Sequence, residues 1–438
     1  MATSTPTAAI ETGPAGRPER LPRSSNAKWA IGFTVVVIAV FVFYQFIYPV
    51  LDPATKTVFR QWLSITAVNE ALIFVIMALG LNIVVGYAGL LDLGYVAFWA
   101  IGGYTGGWLM SSFIQEVNGQ QINIHFGGTA PPEAVGIHIN FWVVLLIAGV
   151  FCAVCGAIIG APTLRLKSDY LAIVTLGFGE IIPQVFYNGD NIFGFNATNG
   201  PQGILPVDAI GTGPAQAIPG VSESLGPFAG SFRFLVFCGL AAVCVFVSLR
   251  IRTGRLGRAW LAIREDELAA SMMGVPLMRS KLAAYAVGAF FGGLGGVAFA
   301  THVNGVLADR FNFAISVIIL AMVVLGGMGN VWGVIIGALA LAWINSTGLQ
   351  RMGDTFNGAF GTEVDFVSKS FLVFGAILVL MMLFRREGLI PEARTRQVLR
   401  EPERGQLESV GADLEGDLLD IETPKRRNIR LPKRKKKT

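Results

Sequence analysis

Apolar residues along this chain gather into blocks of bilayer-spanning length, separated by shorter polar connections. The blocks occupy residues 29–48, 64–86, 90–112, 141–163, 170–187, 232–249, 281–302, 311–328, 331–348 and 366–384. An α-helix rises 1.5 Å per residue, so about 20 apolar residues are needed to cross a hydrocarbon layer about 30 Å thick. The pattern predicts an all-α membrane protein, a polytopic helical bundle with about ten transmembrane or re-entrant segments, several of them Gly-rich. No A-x-A-like cleavage site follows the first block, which therefore reads as a retained first helix.

The flanks lack this pattern. Residues 1–27 are rich in Pro, Thr, Ala and Arg and carry no apolar stripe, so they read as a disordered tail. The membrane domain spans 28–386, and 387–438 is a second, largely disordered tail ending in PKRRNIRLPKRKKKT. Attraction to anionic membrane lipid explains that basic end better than nucleic acid does, because a membrane surface is already adjacent.

Composition supports the membrane reading. Of 438 residues, 53% are hydrophobic and 14% charged, against about 25% charged in soluble domains. Loop charge then orients the chain. Arg165 and Lys167, the run Arg250 to Arg264, and Arg385 and Arg386 fall on the cytoplasmic side together with both termini. The stretches 113–140 and 168–232 hold no Lys or Arg and are expected outside, while Lys56, Arg60, Arg310, Arg351 and Lys369 are scattered exceptions. Cys152, Cys155, Cys238 and Cys244 all lie in apolar blocks and read as small hydrophobes. His125, His138 and His302 show no metal-ligand spacing, and no phosphate-loop GxxxxGK[ST] occurs, so neither an enzyme site nor an ATP site is visible.

Two kinds of residue stand out within the apolar blocks. Gly102/Gly106, Gly292/Gly296, Gly156/Gly160 and the GxxxGxxxG run Gly329, Gly333, Gly337 have the spacing that lets helices approach closely in lipid. The polar candidates for a translocation pathway are Glu70, Asn82, Asp92, Tyr95, Thr175 and Glu180. A charge at mid-bilayer costs about 2.5 kcal/mol or more, so such groups face protein or water. For Glu70 and Asp92 a position near a membrane surface, or a purely structural pairing, is an equal alternative. Glu180 lies in LAIVTLGFGEIIPQ, where Pro183 is expected to break the helix and free backbone groups.

The cytoplasmic stretch RTGRLGRAWLAIREDELAASMMGVPLMRSK, residues 252–281, predicts a short amphipathic helix from Arg258 to Met273, stopped by Gly274 and Pro276. Ala269 and Ala270 leave a shallow surface, and Arg264, Glu265, Asp266 and Glu267 supply ion-pairing groups at its rim. With Glu267, Ala269, Ala270 and Gly274 in this order, the stretch resembles the EAA coupling loop of ATP-binding cassette importer permeases.

The longer segments LNIVVGYAGLLDLGYVAFWAIGGYT (81–105), LRLKSDYLAIVTLGFGEI (164–181), LGRAWLAIREDELAASMMG (256–274) and FNFAISVIILAMVVLGGMG (311–329) sharpen the likeness. They resemble the branched-chain amino acid permease family, LivM type, over about residues 64–391. That resemblance implies one half of a permease heterodimer in a bacterial inner membrane, taking a small amino acid from a periplasmic solute-binding protein. Two cytosolic ATPase subunits would drive it and would hold the ATP and Mg, with no cofactor in this chain. The family's acidic residue before Ser316 is here Ile315, and its TGGPNGI turn is TNGPQGI at 198–204. Urea permeases look similar, and an ion-gradient-driven secondary transporter is the main rival from another class.

Overall fold

The computed structural model describes residues 24–119, 122–127, 134–166, 168–210, 230–361, 366, 368–385 and 388–390. The greater part of both predicted tails and part of the long outer loop, 211–229, lie outside the described residues. Each apolar block contains a helix, and seven helices among the described residues are long and apolar enough to cross a membrane. The first and last blocks form shorter apolar helices, 31–42 and 370–384.

In chain order the helices are α1 (Ser24–Val42), α2 (Pro53–Trp62), α3 (Ile65–Leu81), α4 (Val96–Leu109), α5 (Phe113–Asn118), α6 (Phe141–Thr163), α7 (Ser168–Tyr187) and α8 (Gly230–Thr253). There follow α9 (Arg255–Glu265), α10 (Glu267–Met272), α11 (Leu277–Val303), α12 (Phe313–Gly326), α13 (Val331–Trp343), α14 (Leu349–Phe360) and α15 (Ser370–Phe384). α1 starts inside the stretch 1–27 that reads as disordered, because the polar residues 24–28 extend the apolar helix by a turn.

The bundle is built around α11, which packs along α6, α4 and α3. α3 is apolar on all sides and buried from Ala71 to Leu81, as expected of a helix enclosed by others. By contrast α6 turns Phe151, Val154 and Ile158 outward onto the surface of the bundle. Glycine permits the tightest crossing. A Cβ at Gly102 of α4 would lie 2.5 Å from the Gly293 carbonyl oxygen of α11, and one at Gly296 would lie 2.4 Å from the Trp99 carbonyl oxygen.

Three expectations about these segments are corrected. Gly329 is not on a helical face: it sits at φ +88 in the turn before α13, whose N-terminus is capped by the Asn330 side chain accepting from the Trp332 N–H at 3.2 Å. Gly333 and Gly337 remain on α13 and pack against Gly326 of α12. Pro183 does not break its segment, since α7 continues through it to Tyr187. Proline near the end of a helix is tolerated where neighbouring geometry accommodates the missing N–H.

The third correction is the helix expected from Arg258 to Met273, which is two helices. Asp266 adopts an extended backbone, φ −153 and ψ 112, and its carboxylate caps α10 by accepting from the Ala269 N–H at 2.9 Å. A capping Asp is what separates the segments, a role it fulfils better than interior helix positions.

A small sheet, absent from the sequence reading, covers the end of the bundle away from α9 and α10. β1 (Met110–Ser111) pairs antiparallel with β3 (Ile137–Ile139), placing Met110 opposite His138, and β2 (Ile124–Phe126) runs parallel to β3. The loop after α7 packs beside it: His138 Nδ1 lies 2.8 Å from Asp208, and the Trp108 indole donates to the Ala197 carbonyl at 2.7 Å. Within TNGPQGI, Thr198 donates to the Phe186 carbonyl at 2.7 Å and Asn199 to the Gly203 carbonyl at 2.9 Å, holding the turn against the end of α7.

Candidate functional site

The loop between α8 and α11 is locked to the bundle at three points. Trp260 is fully buried, and its indole N–H donates to the Ser280 carbonyl at 2.7 Å. Arg264 donates to the Gly86 carbonyl at 2.5 Å, with its aliphatic stem against Gly89, so burial lowers its pKa from the usual guanidinium value. Glu267 pairs with the buried Lys281 at the start of α11. Arg258 donates to the Thr253 carbonyl at 2.9 Å, tying α9 back to the end of α8.

The other side of the loop is free among the described residues. Leu268, Met272 and Met273 are 68%, 78% and 84% exposed. Ala270 is buried, while Ala269 faces outward beside this apolar patch. Gly274 has φ +82 and open space around it, so it serves as a hinge-like helix stop rather than a packing surface. The result is a firmly seated α9–α10 unit with a flexible, thioether-rich face turned away from the bundle.

Arg264 links that unit to an irregular segment inside the bundle. Asn82–Tyr87 is a π-helical end of α3, and residues 88–95 then run without regular structure to α4. Irregular backbone at membrane depth needs partners from surrounding protein. They come from distant helices: the Leu93 N–H donates to Thr175 Oγ1 of α7 at 3.1 Å, and the Val96 N–H to Ser316 Oγ of α12 at 3.0 Å. The Gly94 N–H donates to Asp92 Oδ1 at 2.9 Å, leaving the other carboxylate oxygen buried and unpartnered among the described residues.

Four of the six polar candidates therefore belong to this junction. Tyr95 donates to the Gly288 carbonyl of α11 at 2.9 Å, and Asn82 accepts from the Gly329 N–H at 2.8 Å. Asn82, Tyr95 and Thr175 hold the broken segment to the α12–α13 turn, α11 and α7, and Asp92 braces it from within. Glu180 is elsewhere, exposed on the outward side of α7. Their partners lie up to about 250 residues away in sequence, so no local signal reveals them.

Glu70 stands at the far end of the bundle from α9 and α10, in the second turn of α3. It opens into a cavity of about 370 Å³ shared with Phe74, Trp99, His302, Arg310 and Ile318. Sequence reasoning passed over Arg310 as a scattered loop charge and His302 as an isolated histidine. A cation directly before the apolar block of α12 was the available signal.

This arrangement is that of a polytopic helical membrane protein with a seated, two-helix loop at one end and a charged cavity at the other. The chain belongs to the family described as branched-chain amino acid transport system / permease component, which matches residues 64–384. It is 35% identical over 356 residues to the high-affinity branched-chain amino acid transport system permease protein LivM of Salmonella typhimurium, covering 77% of this chain and 72% of that protein. It is 37% identical over 348 residues to the Escherichia coli protein of the same description, covering 75% and 70%. A probable branched-chain amino acid transport permease protein LivM of Methanocaldococcus jannaschii is 25% identical over 334 residues, 73% of this chain and 91% of that relative. No solved structure matches.

Proposed function

We propose that this chain is the permease subunit of an ATP-binding cassette importer that moves branched-chain or related apolar amino acids into the cell. Its partners are a second related permease, two cytosolic ATPases carrying the ATP and Mg, and a periplasmic solute-binding protein, in a bacterial inner membrane with both termini cytoplasmic. The observation that carries this reading is the two-sided α9–α10 unit: Trp260, Arg264 and Glu267 seat one side, and Leu268, Met272 and Met273 offer the other. An apolar, adaptable surface on a rigid mount suits a partner that must grip and push.

Movement of that unit reaches the pathway through contiguous contacts. Displacing α9 pulls the Gly86 carbonyl through Arg264, and so shifts the 88–95 segment against α7, α11 and α12. Opening and closing of the two ends then alternate as rigid helices repack about this irregular joint. To test the docking assignment, Met272→Asp and Met273→Asp are introduced together and ATPase copurification and uptake are measured. Loss of both with an intact permease pair is expected; full retention of ATP-coupled uptake refutes the role of this face.

A further inference from the structure

The cavity at the far end of the bundle holds charges that the helix packing does not use. Glu70 makes no hydrogen bond or ion pair with any of the described residues, although the Arg310 guanidinium acts on it electrostatically. Two further polar atoms turn up here without partners: Trp99 Nε1 and His302 Nδ1 are both buried and unsatisfied among the described residues. Trp99 is 2% exposed, held rigid between Phe299 and Phe311, whose ring centroids lie 4.7 and 4.8 Å away. Buried polar groups are almost always satisfied, and unpaired ones call for a missing partner. Here a carboxylate, a guanidinium and two rings, each with an orphan nitrogen, line one cavity.

Phe74 and Ile318 supply apolar wall, with Thr66 and Asn345 as the neutral polar residues of the lining. A volume of about 370 Å³ is at the small end of the range of about 300–1,000 Å³ for small-molecule pockets. Arg310 is exposed at the mouth of the cavity and Glu70 is partly buried within it, so a singly charged solute would pair with one of the two and leave the other unused, at a cost where that other is the less hydrated Glu70. A neutral solute would use neither. A zwitterion answers both.

We propose that this cavity is a binding site of the permease itself for a zwitterionic α-amino acid with an apolar side chain. Arg310 receives the α-carboxylate, Glu70 receives the α-ammonium, and Phe74 and Ile318 enclose the side chain. The proposal deepens the transport reading and rests on it, since it supplies this chain with selectivity of its own at the end remote from the coupling loop.

The test uses the complete importer in proteoliposomes with ATP and loaded binding protein, following radiolabelled isoleucine. Glu70→Gln and Arg310→Gln each lower uptake at least tenfold in complexes that remain assembled by size exclusion, and Glu70→Asp restores part of it. Ile318→Trp, which keeps both charges and fills the space, also blocks uptake. Uptake within twofold of the unmodified complex in the two charge variants overturns the proposal. Should the charge variants not assemble, Ile318→Trp decides, and unimpaired uptake there overturns it equally. If the unmodified complex itself takes up no amino acid, the transport reading fails; uptake by the unmodified complex matched by the variants removes only the binding site.

Discussion

Two glycines one turn apart on α4 have the same spacing signal and opposite predicted sensitivity. A Cβ added at Gly102 would lie 2.5 Å from the Gly293 carbonyl oxygen and 2.6 Å from Gly293 Cα, both backbone atoms that no rotamer change can move. At Gly106 the nearest atom is the Ala300 Cβ at 3.6 Å, an ordinary contact. Replacing either by Ala gains up to about 1 kcal/mol of helix propensity, and that gain cancels when the two variants are compared. What remains is the cost of forcing α4 and α11 apart, about 1–3 kcal/mol for an overpacked site. With an unfolding entropy of about 2.1 cal/mol/K per residue, a chain of this size shifts by about 1 °C per kcal/mol. Gly102→Ala is therefore expected to melt about 1–3 °C below Gly106→Ala in a tryptophan-fluorescence scan of the detergent-purified protein, with Gly106→Ala at or above the unmodified protein. Coincident midpoints, or the reverse order, would refute the assignment of the α4–α11 crossing to Gly102.

Two further outcomes follow from asymmetric partnerships. Glu267→Gln is expected to destabilise more than Lys281→Met, because Lys281 is buried and loses its partner while Glu267 is half-exposed and can be resolvated; equal midpoints in the same thermal scan would contradict this. Asn82→Leu leaves the buried Gly329 N–H unpaired and is expected to cost about 1–3 kcal/mol, readable as a lowered unfolding midpoint in denaturant.

The ten apolar blocks were legible because a lipid-facing helix must be continuous in sequence. The helical character of the 255–272 stretch was legible for a similar reason, since its amphipathic pattern and its Gly274–Pro276 stop are local. Asp266 was not: in the run Arg264 to Glu267 a capping carboxylate looks like any other surface charge, and only the Ala269 N–H reveals its role. Pro183 looked like a break and is not, whereas the real break at 88–95 contains no proline and is held by Thr175 and Ser316 from distant helices. Gly329 continued a fourfold spacing that the chain interrupts with a turn. Glu70 was found as a charge in an apolar block, but Arg310 lies about 240 residues on, and only the fold brings the two to the lining of one cavity.

The most direct test of the account is the energy source for uptake by the reconstituted complex. Isoleucine uptake is measured in proteoliposomes with loaded binding protein, once with hydrolysable ATP on the ATPase side and no ion gradient, and once with an imposed proton or sodium gradient and no nucleotide. Uptake only in the first condition is predicted. Uptake sustained by the gradient alone would contradict the claim that partner ATPases drive this permease through its α9–α10 loop.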